Sequence, residues 1–211
     1  MSSGEKQWVT KTSKLFSVVF HPVFIPLYGL LLIYSSPTLL SFIPARMKWT
    51  IFLLVLANNV ILPLSLAAIL YLRGAIKTFN ARDRNERVVL LTFALLMYTI
   101  TAILLLRIQV PNLFRAYFIS IAFVTLVTLI ITSIYRISLH AAGFGGLLSL
   151  LIFMIILYDI RSAWQLVTVV LIGGGVMSSR LYLDDHTPTE TWTGLFAGAG
   201  VMALTLFILL K

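Results

Sequence analysis

The chain has 211 residues, of which 60% are hydrophobic and 11% charged, with sixteen Lys and Arg against seven Asp and Glu and a formal net charge of +9. Soluble domains carry roughly a quarter charged residues, so this composition excludes one and predicts an integral membrane protein. The absence of cysteine excludes disulfides, Cys-ligated metals and thiol catalysis, and the basic residues flank apolar runs, where lipid headgroups and phosphates are expected as partners and nucleic acid is not.

Residues 1–14 read as a basic N-terminal tail. The sequence MSSGEKQWVTKTSK before an apolar run imitates a signal peptide, but no small-residue cleavage site ends the run, which is therefore expected to stay as a first membrane helix. Apolar runs follow at 15–35, 49–72, 88–106, 114–134, 140–158, 163–178 and 192–210, judged against the ~20 residues a helix needs to cross the hydrocarbon. Backbone groups in lipid must be paired within their own segment. The prediction is an all-α, polytopic transmembrane helix bundle of six to seven spans, with one domain over 15–211. His21 beside Pro22, and Asn58-Asn59 before Pro63, are polar groups inside spans and read as hydrogen bonding beside kinks. Gly145-Gly146 and Gly173-Gly174-Gly175 read as sites of close helix packing. No strand precedes them and no Lys-Ser/Thr follows, as a phosphate loop requires.

The remaining polar residues gather at three places: Lys77 to Arg87 after the second span, Arg136 to His140 after the fourth, and Ser179 to Glu190 after the sixth. Each interval contains two crossings, so all three clusters lie on one membrane face and can converge between bundle helices.

Together these clusters resemble the signature motifs of the type 2 phosphatidic acid phosphatase and vanadium haloperoxidase superfamily, K-x6-R-P, P-S-G-H and S-R-x5-H-x3-D. The third is matched by Ser179-Arg180, His186 and Glu190, with Glu for Asp. The second is matched by Ser138 and His140, with Ile137 and Leu139 replacing Pro and Gly, and the first by Lys77 and Arg84, with Asn85 replacing Pro. The resemblance runs over about residues 75–210 in the family's order. It implies a membrane lipid phosphatase that hydrolyses a phosphate or diphosphate monoester through a phosphohistidine. His186 is then the nucleophile, Glu190 its orienting carboxylate, and His140 the acid for the leaving group. Lys77, Arg84, Arg180, Ser138 and the Leu139 N–H bind the phosphate. Three fixed cations stand in for a metal, so no metal or cofactor is expected, and the implied partners are a phospholipid or isoprenoid-phosphate substrate and the membrane lipids. A non-enzymatic transporter or scaffold with a phosphate-lined vestibule, or a lipid phosphotransferase, are the alternatives.

Rival readings attach to single residues. Arg73, Arg82 and Arg87 read as charges that snorkel or set topology, and Arg136 is open. Asp184 and Asp185 read as a solvated mouth in preference to metal ligands. Ten of the sixteen Lys and Arg fall on the site's face, which by the positive-inside rule puts the site in the cytoplasm. Leaving out Lys77, Arg84, Arg136 and Arg180, which have a catalytic reason to be there, equalises the faces at six each. Many bacterial members of the resembled family face the periplasm. The expectation is a bacterial plasma (inner) membrane protein with a cytoplasmic-facing site.

Overall fold

With no water in the hydrocarbon to satisfy N–H and C=O groups, long apolar runs become helices, and the computed structural model, which describes residues 3–37, 42–76, 83–159 and 163–211, is helical throughout the described regular elements. Lys77 and Arg82 lie outside the described residues. In chain order the elements are α1 (Ser3–Val19), a 3₁₀ turn (Pro22–Phe24), α2 (Ile25–Ser35), α3 (Ala45–Val55), a π-helical stretch (Leu56–Ile61) and α4 (Leu62–Leu72). There follow α5 (Arg84–Arg107), α6 (Asn112–Ile134), α7 (Leu139–Tyr158), α8 (Ala163–Tyr182) and α9 (Pro188–Leu210). Grouped by continuity, they form seven segments long and apolar enough to cross a membrane, one for each predicted run.

Two of the seven are broken where the sequence carries proline. Between α1 and α2 the Nδ1 of His21 accepts the Val23 N–H at 3.3 Å, and Pro22 and Pro26 follow. The Tyr117 hydroxyl, from α6, donates to the Ile25 carbonyl at 3.0 Å on the far side of this break. Between α3 and α4 the helix widens to the π form just before Pro63, a local adjustment that re-pairs groups a proline would strand. Asn58 there reaches across to α5, donating to the Met97 carbonyl at 2.9 Å and to Thr101 Oγ1 at 2.8 Å. Asn58 is therefore bonded between helices beside a kink, as expected, whereas the His21 hydrogen bond is local. Helix starts at Ser3, so the described part of the basic tail is helical, and α1 packs along α8.

At the centre, α7 and α9 run parallel in close contact. Three glycines of the pair allow it. A Cβ on Gly198 would collide with the Ala142 carbonyl, one on Gly145 with the Leu195 carbonyl, and one on Gly194 would sit 2.5 Å from the Ser138 carbonyl. Lipid tails are as apolar as side chains, so such backbone proximity, and not hydrophobic transfer, holds helices together here. Gly198→Leu is therefore expected to destabilise the bundle by on the order of 3 kcal/mol or more. Gly200→Leu, at a position with nothing within 4 Å, should leave thermal unfolding in detergent nearly unchanged. Equal melting temperatures for the two variants would contradict this packing.

The consequence for the site is directional. Spans beginning at Arg84, Leu139 and Pro188 all start on the same face. The positive ends of the α5, α7 and α9 dipoles therefore lie on the face that carries the three polar clusters.

Candidate active site

The geometry of the third cluster follows from how α8 stops and α9 starts. After Tyr182 the chain turns through Asp184, in the left-handed conformation (φ 51°), while the Asp185 N–H bonds back to the Arg180 carbonyl at 3.1 Å. This is the pairing of a Schellman-type helix end, and Asp tolerates its left-handed position better than most residues. The turn folds the Asp185 carboxylate onto the Arg180 guanidinium at 3.1 Å. Thr187 then caps α9. Its Oγ1 accepts the Glu190 N–H, Glu190 Oε2 accepts the Thr187 N–H at 3.3 Å, and Pro188 occupies the first turn, where no N–H is needed. The same Glu190 Oε2 lies 2.7 Å from His186 Nδ1. The His-x3-Glu spacing is thus that of a capping box extended by one residue.

That carboxylate fixes the ring. A carboxylate accepts, so Nδ1 carries the proton and, in the neutral imidazole, Nε2 holds a free lone pair. Burial, assisted by Arg87, Arg180 and Arg136, outweighs the opposing Glu190 hydrogen bond and lowers the His186 pKa to about 4. Because the folded value lies below the ordinary 6.5, the unfolded chain binds more protons between the two. The stability this burial allows is present above pH 6.5 and is lost as pH falls through about 4. Imidazole carbon resonances in micelles, with His186→Gln assigning one of the three histidines, should show His186 titrating near pH 4. A midpoint at 6.5 would contradict the buried, neutral ring.

The second cluster joins the third through backbone. The Ser138 N–H donates to the Glu190 carbonyl at 3.1 Å, and Ser138 Oγ accepts the Ala141 N–H at 3.4 Å as the N-cap of α7. Ser138 is fully buried and is engaged in building the start of α7. Leu139 and His140, the first two helical residues, have N–H groups without a partner within the helix. His140 Nε2 bonds the Ser17 carbonyl of α1 at 3.1 Å, so Nε2 is the donor and Nδ1 is the nitrogen left for other work. The ring stands edge-on to His21, 5.6 Å between centroids, within electrostatic reach of Arg180 and His186.

For the first cluster the structure differs from the sequence reading. Arg84 is exposed at the first residue of α5, whereas Arg87, one turn deeper, is buried. Arg87 Nη2 donates to the Ile137 carbonyl at 3.1 Å, its Nη1 is buried without a hydrogen-bond partner among the described residues, and it lies within electrostatic reach of Arg136, Arg180 and Glu190. Arg136 Nη2 donates to the Asp185 carbonyl at 3.0 Å. Asp185 is not a solvated mouth residue but a buried partner of Arg180. Arg87, His140, Arg180, Asp185 and His186 are all between 5% and 7% exposed, a concentration of ionisable groups that marks functional sites in membrane proteins.

Arg87 and His21 are the residues that sequence reasoning assigned elsewhere. A signal was present for Arg87: it shares a face of α5 with Leu90, Leu91, Ala94 and Tyr98, at the spacing of an inward stripe. These residues line a cavity of about 560 Å³ beside the cluster, which also takes in His21, Leu139 and Met202. Chemically, the site combines a neutral imidazole with a directed lone pair, a second imidazole, three arginines and two helix N-termini. That set suits binding a phosphate and attacking its phosphorus. The chain matches no protein-family model, no curated protein and no solved structure.

Proposed function

We propose that the protein is a metal-independent phosphatase for a lipid phosphate or diphosphate, acting through a phosphohistidine. The observation that carries this reading is the capping-box carboxylate 2.7 Å from His186 Nδ1, which presents Nε2 as a nucleophile beside buried arginines. In the first step a proton of the bound phosphate monoanion moves to the free Nδ1 of His140, the His186 Nε2 lone pair attacks phosphorus, the P–O ester bond breaks, and His140 passes the proton from Nδ1 to the leaving alkoxide. In the second, water attacks phosphorus as the P–N bond breaks, its proton passes by way of His140 Nδ1 to the departing phosphate, and inorganic phosphate leaves with His186 and His140 restored. Arg87, Arg136 and Arg180, with the α7 N-terminal N–H groups, hold the equatorial oxygens, whose charge the transition state spreads. Glu190 keeps the Nδ1 proton and stabilises the cationic ring of the intermediate, the orienting role of a third group in a triad. We place the protein in a bacterial plasma membrane with the site facing the cytoplasm, the side favoured by Lys6, Lys11 and Lys14 before the first span. A phosphate-release assay on a panel of lipid phosphates and diphosphates, with purified protein in detergent, tests the reading. Release from at least one lipid supports it, and none from any member of the panel overturns it.

A further inference from the structure

The cavity beside the cluster has two chemically different ends. At one end are His21, Arg87 and Leu139, and at the other Ala94, Tyr98 and Met202, with a lining that is otherwise mainly apolar. His21 and Arg87 both hold nitrogens in reserve. His21 Nδ1 is engaged by the Val23 N–H, so the neutral ring carries its proton on Nε2, for which no protein acceptor is found among the described residues. Arg87 Nη1 is buried and likewise unpartnered. A buried donor left unpaired, as Arg87 Nη1 is among the described residues, is costly unless a ligand supplies the acceptor. An oxygen-rich headgroup at this end would supply it.

The dimensions of the cavity restrict the tail behind that headgroup. Along α5 the lining runs from Arg87 to Tyr98, about 16 Å at ~1.5 Å per residue. An extended hydrocarbon advances roughly 1.3 Å per C–C bond, so about twelve carbons fill that length. By volume, a methylene is comparable to the ~30 Å³ share of a water molecule, and 560 Å³ then holds about twenty such groups. Two acyl chains of ordinary length need about twice this room.

We infer that this cavity is a tail subsite for one hydrocarbon chain, which makes the substrate class a single-chain lipid phosphate with a tail of roughly twelve to twenty carbons. For its headgroup the inference rests on the phosphatase reading above. A tail already in the bilayer gains little hydrophobic free energy by entering an apolar cavity. The pocket is open on one side, where Val18 and Leu64 are exposed, so selectivity comes from shape: the headgroup is anchored on the arginines, one chain fills the pocket, and a second chain is left outside it without the contacts the first makes.

The test uses the full chain in detergent and has two arms. In the first, a sixteen-carbon alkyl phosphate bearing a diazirine at its tail end is photolysed on the protein and the adducts mapped. Adducts at Tyr98, Thr125 or Met202 are expected, and adducts only at lipid-facing residues such as Ile103 and Ile130 overturn the subsite. In the second, phosphate release is followed over single-chain and diacyl phosphates. We expect kcat/KM to peak within the stated length range and to fall at least tenfold for diacyl substrates. Ala94→Trp should move the peak to shorter tails and Tyr98→Ala to longer ones, opposite shifts that misfolding cannot produce. A flat dependence on tail length and number, unchanged by either substitution, overturns the inference while leaving the phosphatase reading intact. Cavity adducts without any phosphate release leave the tail subsite standing and remove the phosphatase.

Discussion

His186→Ala is expected to lower phosphate release by at least about 10⁴-fold, the scale seen when a nucleophile that works with an orienting carboxylate is removed. The fold should survive the change. Glu190 Oε2 keeps its bond from the Thr187 N–H and Thr187 keeps its own to Glu190, so the α9 cap is intact without the imidazole. Although His186 is buried, its ring bonds, among the described residues, only to a side chain already held by that cap. Thermal unfolding of the variant in detergent separates chemistry from folding. Retention of a tenth of the wild-type rate, in a folded variant, would remove His186 from the nucleophile role.

Arg87→Met should cost roughly 10² to 10³ in kcat/KM, the range for deleting one preorganised donor to developing negative charge. Arg84→Met, at an exposed position, should cost less than about threefold, as weakly held surface charges do. Arg87→Lys is expected to recover only part of the loss. The Nη2 bond to the Ile137 carbonyl holds the guanidinium while Nη1 stays available, and a lysine has no second nitrogen to divide between these tasks. Equal losses for Arg84→Met and Arg87→Met would put the phosphate nearer the membrane surface than the buried arginine.

These two residues show where sequence is and is not readable. His186 was legible because the elements around it are local: a helix end, a left-handed turn at Asp184, a cap at Thr187 and a carboxylate one turn on. The spans were legible for a similar reason, since an apolar run in lipid has one backbone solution. Arg87 was not, because spacing from Lys77 selects Arg84, and only the packing of α5 decides which turn lies under the surface. Asp185 reads as solvated because two adjacent carboxylates look like a polar mouth. The turn at Asp184 instead separates them, sending Asp185 to Arg180. Nor did sequence indicate that α1 would bring the Ser17 carbonyl, and the break after it His21, to His140, contacts between residues more than a hundred positions apart. The glycines were recognised as packing sites, but their partners, Ser138, Ala142 and Leu195, were not. Those partners matter because they align the starts of α7 and α9, the positions of His140 and His186.

Phosphorus is expected to pass through His186 Nε2. This route is tested most directly by mixing the purified protein with a ³²P-labelled single-chain alkyl phosphate, quenching in alkali within the first turnover and mapping labelled peptides. A phosphohistidine survives base and is lost in acid. An acid-labile, base-stable label is expected on the peptide containing His186, absent from His186→Ala. Phosphate release at the full rate with no label on that peptide, or with label on another residue, would contradict it.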